Sequence, residues 1–310
     1  MTIKHADAEL AEHKLIDKAD PKFKFHMTTP IECTPEKTSN SSKAIDQCSE
    51  SFENHDIDKY KLLIMPDGGM DLKAYSAKDN LSQKKISIFW IEAQRIFFGL
   101  KVMKDTGIVH QDFKPQNIVY NEKTKRTNYI DFGFMQETSG IINKCKHSIY
   151  KEGEAHWSFP YEFRFVNKAD YVNILKNNEM FEDLFKKEDD HMSLFIENVA
   201  ATDERPEFKK WFMDQVYLMF KHDLRAETYD AFIQKSVETI DVYGVGLSFL
   251  YVLLHFQKKM DPEMVIELRK LFSSMITPRV SERISADAAL EKYEAIIGDP
   301  AKYKRQFMRG

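Results

Sequence analysis

Four polar side chains lie close together near the middle of this 310-residue chain: Asp112, Lys114, Asn117 and Asp131. They fall in two short segments, IVHQDFKPQNIVY at 108–120 and YIDFGF at 129–134. Asn117 immediately precedes the apolar run Ile118-Val119-Tyr120, and Asp131 immediately follows Asn128-Tyr129-Ile130. The polar stretch NEKTKRT lies between the runs, so the pattern reads as a β-hairpin with a loop of several residues. Antiparallel pairing of Ile118 with Ile130 brings Asn117 and Asp131 to one open mouth. An amide oxygen beside a carboxylate is a hard-oxygen pair suited to Mg²⁺. Asp112 and Lys114 enter on the loop just upstream. A cation and an ammonium neutralise phosphate oxygens, while a carboxylate beside them orients a hydroxyl, so the set is suited to phosphoryl transfer.

These residues need elements to position them. Phe89, Ala93, Ile96, Leu100 and Met103 are spaced 4, 3, 4 and 3 apart and form one helical stripe. Ser82 is a fitting N-cap and Gly107 a fitting stop. Upstream, Ala6 to Lys18 reads as a helix carrying Glu9 and Glu12, ended by Asp20-Pro21. Phe23, Phe25 and Met27 alternate, which predicts a strand. Cys33 to Asp56 is polar and without apolar period, which predicts a long, mobile surface loop. Lys61 to Met65, KLLIM, reads as a short buried strand, broken by Pro66-Asp67-Gly68-Gly69. Residues 161–236 are charged, aromatic and helical in pattern. Val242 to Phe256 is an apolar run of about 15 residues, too short for a membrane span of roughly 20, so a buried core helix is expected. Helices follow at 262–276 and 285–296.

Composition excludes several classes. The 45 basic and 49 acidic residues give a net charge of −4, which argues against a general nucleic-acid binder. Cys33, Cys48 and Cys145 show no metal spacing and are expected as reduced thiols. With no apolar leader and no spanning run, a cytoplasmic protein with no membrane partner is expected. Glycine is scarce, 11 in all, and none precedes Gly68, so residues 1–67 hold no glycine-rich phosphate loop.

The two central segments resemble the protein kinase superfamily, whose catalytic loop H-R-D-x-K-x-x-N is followed by D-F-G. Here His110-Gln111-Asp112-Phe113-Lys114-Pro115-Gln116-Asn117 precedes Asp131-Phe132-Gly133. His156 to Glu162 stands where the family has A-P-E. Asp241-Val242-Tyr243-Gly244-Val245-Gly246 resembles the start of its buried helix, and Arg283-Ile284-Ser285-Ala286 its late arginine segment. LLIMPDGGMDL resembles the hinge between lobes, and the early helix with its Pro-x-Glu variant is similar to kinases of large DNA viruses of eukaryotes. The resemblance implies an α+β bilobal fold: a reduced N-lobe at 1–66, including the polar loop 33–57, and a helical C-lobe at 67–310 with an inserted helical subdomain at 164–236. It implies ATP and Mg²⁺ as cofactors and a serine/threonine protein substrate. Asp112 would be the base and Lys114 the γ-phosphate contact. Asn117 and Asp131 would hold the metal, with Met65 and Asp67 at the nucleotide; Leu63 or Met65 would line the back of the adenine pocket. Phe132 and Gly133 would pack beneath a helix carrying Glu9 or Glu12. Asp241 would brace the catalytic loop, and Arg283 would pair with Glu162.

There are departures from the family pattern. Gln111 replaces an arginine that grips a phosphorylated activation segment; it marks either a different control or a neutral position. Lys4 lies only five residues before Glu9, too near to serve as the family's phosphate lysine. The first three small-lobe strands have no counterpart in residues 1–310. The alternative expectation is therefore a pseudokinase or docking module. A protein partner at the 164–236 insertion is a further expectation, although the stripe Trp211, Phe212, Val216 and Phe220 reads first as core.

Overall fold

The computed structural model describes residues 2–46, 57–151, 156–177 and 190–298. Helix α1 (Ile3–Ala19) starts earlier than its apolar pattern, because Thr2 caps it by accepting the His5 N–H at 3.3 Å. It buries Ala6, His13 and Ile16 on one face. The strand predicted over Phe23, Phe25 and Met27 does not form. Phe23 is in left-handed backbone (φ 49°), and the segment makes one isolated bridge, His26 with Tyr129. The alternation reflects Phe25 alone, fully buried, whose carbonyl accepts the Tyr129 N–H at 2.8 Å.

Strands β1 (Ile31–Cys33) and β2 (Leu62–Ile64) pair antiparallel with Ile31 opposite Ile64. The expected loop between them holds helix α2 (Ser39–Asp46), of which none of residues 39–43 is buried. Residues 47–56 of that loop lie outside the described residues. β2 falls where KLLIM predicts a strand but is not buried: Leu62 is 49% and Ile64 55% exposed. Among the described residues its strand partner is β1, in a two-stranded sheet.

β3 (Met70–Asp71) leads into α3 (Leu72–Ser76), and α4 (Gln83–Thr106) follows. Ser82 caps α4 through the Lys85 N–H, and Gly107 ends it in left-handed backbone (φ 70°). The five stripe residues are all buried. β4 (Ile108–Val109) pairs with β7 (Gln136–Glu137), and β5 (Ile118–Asn121) pairs with β3 and with β6 (Arg126–Tyr129). The hairpin register is one residue off the expected one: Ile118 faces Tyr129, not Ile130. Pairing parity inside a hairpin depends on the loop, which the apolar runs do not specify.

Helices α5 (Thr138–Lys146), α6 (Lys168–Lys176), α7 (Asp190–Val199) and α8 (Arg205–Leu218) follow, then a π-helical turn at Met219–Asp223. α9 (Tyr229–Phe256) is twice the expected core helix and includes residues 229–236 of the expected insertion. Its length and apolarity would suffice to cross a membrane, so the length argument fails. Burial decides instead, because 83% of its most apolar window is inside the protein. α10 (Pro262–Met275) and α11 (Ala286–Ile297) close the larger lobe. α11 packs on α4 through stacked Phe97 and Tyr293 rings, 4.0 Å apart. In α8 and the π turn, Phe212, Val216 and Phe220 are core, while Trp211 is only partly buried. The architecture is α+β and bilobal, with few short strands and a helical larger lobe.

Candidate active site

Asp241, inside α9, holds the loop that carries the reactive groups. Its two carboxylate oxygens accept the backbone N–H groups of His110 (2.7 Å) and Gln111 (2.9 Å). Burial pushes this carboxyl up to about 7, against the pull of the two N–H bonds. One turn on, Gly244 lets the loop approach: a Cβ there would lie 2.7 Å from the Phe113 carbonyl oxygen. Gln111 itself sits in left-handed backbone (φ 70°). For a non-glycine residue this costs about 1–3 kcal/mol, and the bond to Asp241 helps to hold it there.

A 3₁₀ turn at Pro115–Asn117 folds the loop back on itself, with the proline at its first position. The Asn117 amide nitrogen donates to both the carbonyl and Oδ2 of Asp112, each at 2.8 Å. Lys114 Nζ reaches the same Oδ2 at 2.6 Å. Both side-chain donors end on one oxygen, so Oδ1 of this buried carboxylate is left to accept a proton. With its nitrogen committed to Asp112, Asn117 retains its own Oδ1 as a ligand atom.

Asp131 comes to the same mouth despite the shifted register, because the Ile130 N–H donates to the Asn117 carbonyl at 3.2 Å. Asp131 is exposed and in left-handed backbone (φ 65°). An amide oxygen and an exposed carboxylate are hard donors of the kind Mg²⁺ takes, so the residues present fit that cation. Phe132 is buried beneath them, ringed edge-on by His13 (5.0 Å), His110 (5.5 Å) and His26 (6.1 Å). Burial lowers the His110 pKa to about 4. Its contacts match the neutral ring: Nε2–H donates to the Ile130 carbonyl at 3.1 Å, and Nδ1 accepts the Asp112 N–H at 3.3 Å. His26 lies between Asp17 (2.8 Å) and Asp20 (3.0 Å). Neither His13 nor His26 was marked by the sequence, since a histidine near a chain end has no motif to announce it.

Of the two candidate helix carboxylates, Glu9 lies 3.6 Å from His13 Nε2. Glu12 faces the site more directly: burial raises its pKa first, then the charges of Glu9 and Asp131, with His13 opposing. At the hinge, Met65 is 48% exposed. The Asp67 carboxylate closes its own turn by accepting the Gly69 N–H at 2.9 Å. Gly69 (φ 92°) is required there, since a Cβ would lie 2.3 Å from the Tyr120 carbonyl oxygen.

Glu162 and Arg283 form a two-pronged pair at 2.6 and 2.9 Å with both side chains fully buried. The guanidinium also donates to the Thr277 carbonyl and to Thr239 Oγ1, and stacks over Tyr243. Those three partners gave no sequence signal, because each is set by packing between distant helices.

The stretch that carries Asp112, Lys114, Asn117 and Asp131 matches known proteins in sequence. The protein kinase domain model matches residues 1–152. Over this stretch, just under half its length, the chain is similar to the protein kinase superfamily. It is 32% identical over 141 residues to mitogen-activated protein kinase 12 of Danio rerio, covering 45% of this chain and 38% of that protein. It is 30% identical over 122 residues to the serine/threonine-protein kinase prpf4B of Dictyostelium discoideum, covering 37% of this chain and 14% of that protein. Over 43 residues it is 44% identical to the cell division cycle 7-related protein kinase of Mus musculus, 14% of this chain and 8% of that protein. The chain thus spans less than two fifths of the length of each of these curated relatives.

Proposed function

We propose that this chain transfers the γ-phosphoryl group of Mg-ATP to serine or threonine hydroxyls of a protein substrate. The observation that carries the reading is the Asp112 carboxylate, with Lys114 and Asn117 on Oδ2 and Oδ1 left open. In this scheme Oδ1 orients the substrate hydroxyl and takes its proton. Lys114 leaves Asp112 for the transferring phosphoryl oxygens, whose charge it offsets. Asn117 and Asp131 would hold Mg²⁺, which supplies charge neutralisation at the phosphates. Met65 and Asp67 are the hinge residues proposed for the nucleotide. Asp241 and the Glu162–Arg283 pair keep the loop and the substrate-side wall in place.

The test is Mg-ATP-dependent phosphorylation of a generic basic protein by wild type and Asp112→Asn. Wild-type incorporation should exceed that of the variant by about 10²-fold or more, the scale of a lost general base. Equal incorporation would sink the reading. One observation favours a second reading, a docking module with weak or no transfer. Among the described residues, the charges acting on Glu12 are the Glu9 and Asp131 carboxylates and, on the opposing side, His13. Binding of Mg-ATP without phosphate transfer would select it.

A further inference from the structure

We propose that Gln111 and Tyr150 form an uncharged clamp that positions Asp131, so that Gln111 is a positioning residue for phosphoryl transfer; the catalytic part of this rests on the reading above. Gln111 is 3% and Tyr150 2% exposed. The Gln111 amide Nε2–H donates to the carbonyl of Phe134, three residues beyond Asp131. The Tyr150 hydroxyl donates to Gln111 Oε1 at 2.9 Å. The first bond decides the second. The Phe134 carbonyl only accepts, so it turns the amide nitrogen toward itself; the amide oxygen then faces Tyr150, whose hydroxyl can donate or accept and here donates. Tyr150 is itself held by Asn167, whose Oδ1 accepts the Tyr150 N–H (3.2 Å) and whose Nδ2 donates to the Tyr150 carbonyl (3.0 Å). Asn167 is the cap residue of α6. A hydrogen-bonded chain therefore runs from the start of α6 to Phe134.

The other side of the turn is held by the neighbouring residue, since His110 Nε2 donates to the Ile130 carbonyl. Residues 110 and 111 together grip the two carbonyls that flank Asp131-Phe132-Gly133, and Asp241 grips the N–H groups of both. Asp131 and Gln111 each occupy left-handed backbone. Non-glycine residues persist there only where the surroundings over-determine them. Releasing the Phe134 side frees Asp131 to leave that conformation, and with it the oxygen proposed for Mg²⁺. The Gln111, Tyr150 and Asn167 side chains carry no charge, so the clamp itself is insensitive to ionic strength.

The experiment compares the full chain as wild type, Gln111→Glu, Gln111→Ala, Tyr150→Phe and the Gln111→Ala/Tyr150→Phe double variant. Three readouts are taken: phosphotransfer kcat and KM, binding of the β,γ-imido analogue of ATP with and without MgCl₂, and hydrogen exchange of peptides covering 130–136. Gln111→Glu, assayed above the pKa of the new carboxyl, keeps the acceptor for Tyr150 and has no donor for Phe134. It should lower kcat about tenfold, the worth of one buried hydrogen bond, with KM for the protein substrate within about twofold. Exchange at 131–135 should quicken and the gain in analogue binding from MgCl₂ should shrink. The double variant should be no worse than Gln111→Ala alone, because the tyrosine acts through the glutamine. Wild-type kcat and unchanged exchange in Gln111→Glu would overturn the clamp, as would additive losses in the double variant. If wild type binds Mg-nucleotide but transfers no phosphate, the kinase reading fails, and exchange with the MgCl₂ dependence of binding decides the clamp by itself.

Discussion

Glu162→Gln is the substitution whose cost can be worked most directly from the structure. The Arg283 guanidinium has five N–H donors, and the contacts account for all of them: two to Glu162, two to the Thr277 carbonyl and one to Thr239 Oγ1. Both members of the ion pair are fully buried. Glutamine keeps one acceptor but turns an NH₂ group toward a guanidinium N–H, and the buried cation loses its counter-charge. Breaking such a pair from one side costs about 3–5 kcal/mol, against a total stability of about 5–15 kcal/mol. With a urea m-value of about 3 kcal/mol/M, the midpoint should fall by about 1–1.7 M. The double variant Glu162→Leu/Arg283→Met replaces both charges with apolar groups. It should lose less than Arg283→Met alone, which strands the carboxylate; the remaining cost is the Thr277 carbonyl left without donors, about 1–3 kcal/mol. Urea unfolding followed by far-UV circular dichroism measures all four proteins. A midpoint shift below about 0.3 M for Glu162→Gln, or a loss in the double variant no smaller than that of Arg283→Met alone, would refute the coupling argued here.

Two further outcomes follow from the same geometry. His110 is held neutral with its folded pKa near 4, below the ordinary 6.5, so the unfolded chain takes up the proton first as pH falls. Stability from this residue is fully present above pH 6.5 and should be lost at up to about 1.4 kcal/mol per pH unit down to pH 4; His110→Phe should show a shallower slope in urea midpoints over that range, and an unchanged slope would contradict the assignment. Gly244→Ala puts a Cβ 2.6–2.7 Å from Phe113 atoms. It should destabilise by about 1–3 kcal/mol, as overpacking does, and lower phosphotransfer more than nucleotide binding because the catalytic loop must shift; a thermal midpoint equal to wild type would refute the close approach.

Much of the site was legible in the chain because its groups are local in sequence. Asp112, Lys114 and Asn117 meet through a single turn, so their spacing nearly dictates their contacts. The α4 stripe and its Ser82 and Gly107 ends were equally plain, since helical period and capping are short-range properties. The small-lobe segments were less so. Apolar runs such as KLLIM state that a strand is favoured but not whether anything covers it.

What sequence alone determined about this protein is the set of reactive groups, their order and the family they resemble, because these are fixed by residue type and spacing. Tertiary structure decided which distant groups hold them in place. Asp241 lies about 130 positions from the loop it braces, Arg283 lies 121 from Glu162, and Tyr150 lies 39 from Gln111. It also decided that α9, long and apolar enough to cross a membrane, is a core helix. No spacing rule reaches that far along a chain. Those contacts exist because burial of the helices around α9 brings remote segments together, and a buried polar group must then find its partner wherever packing has placed one.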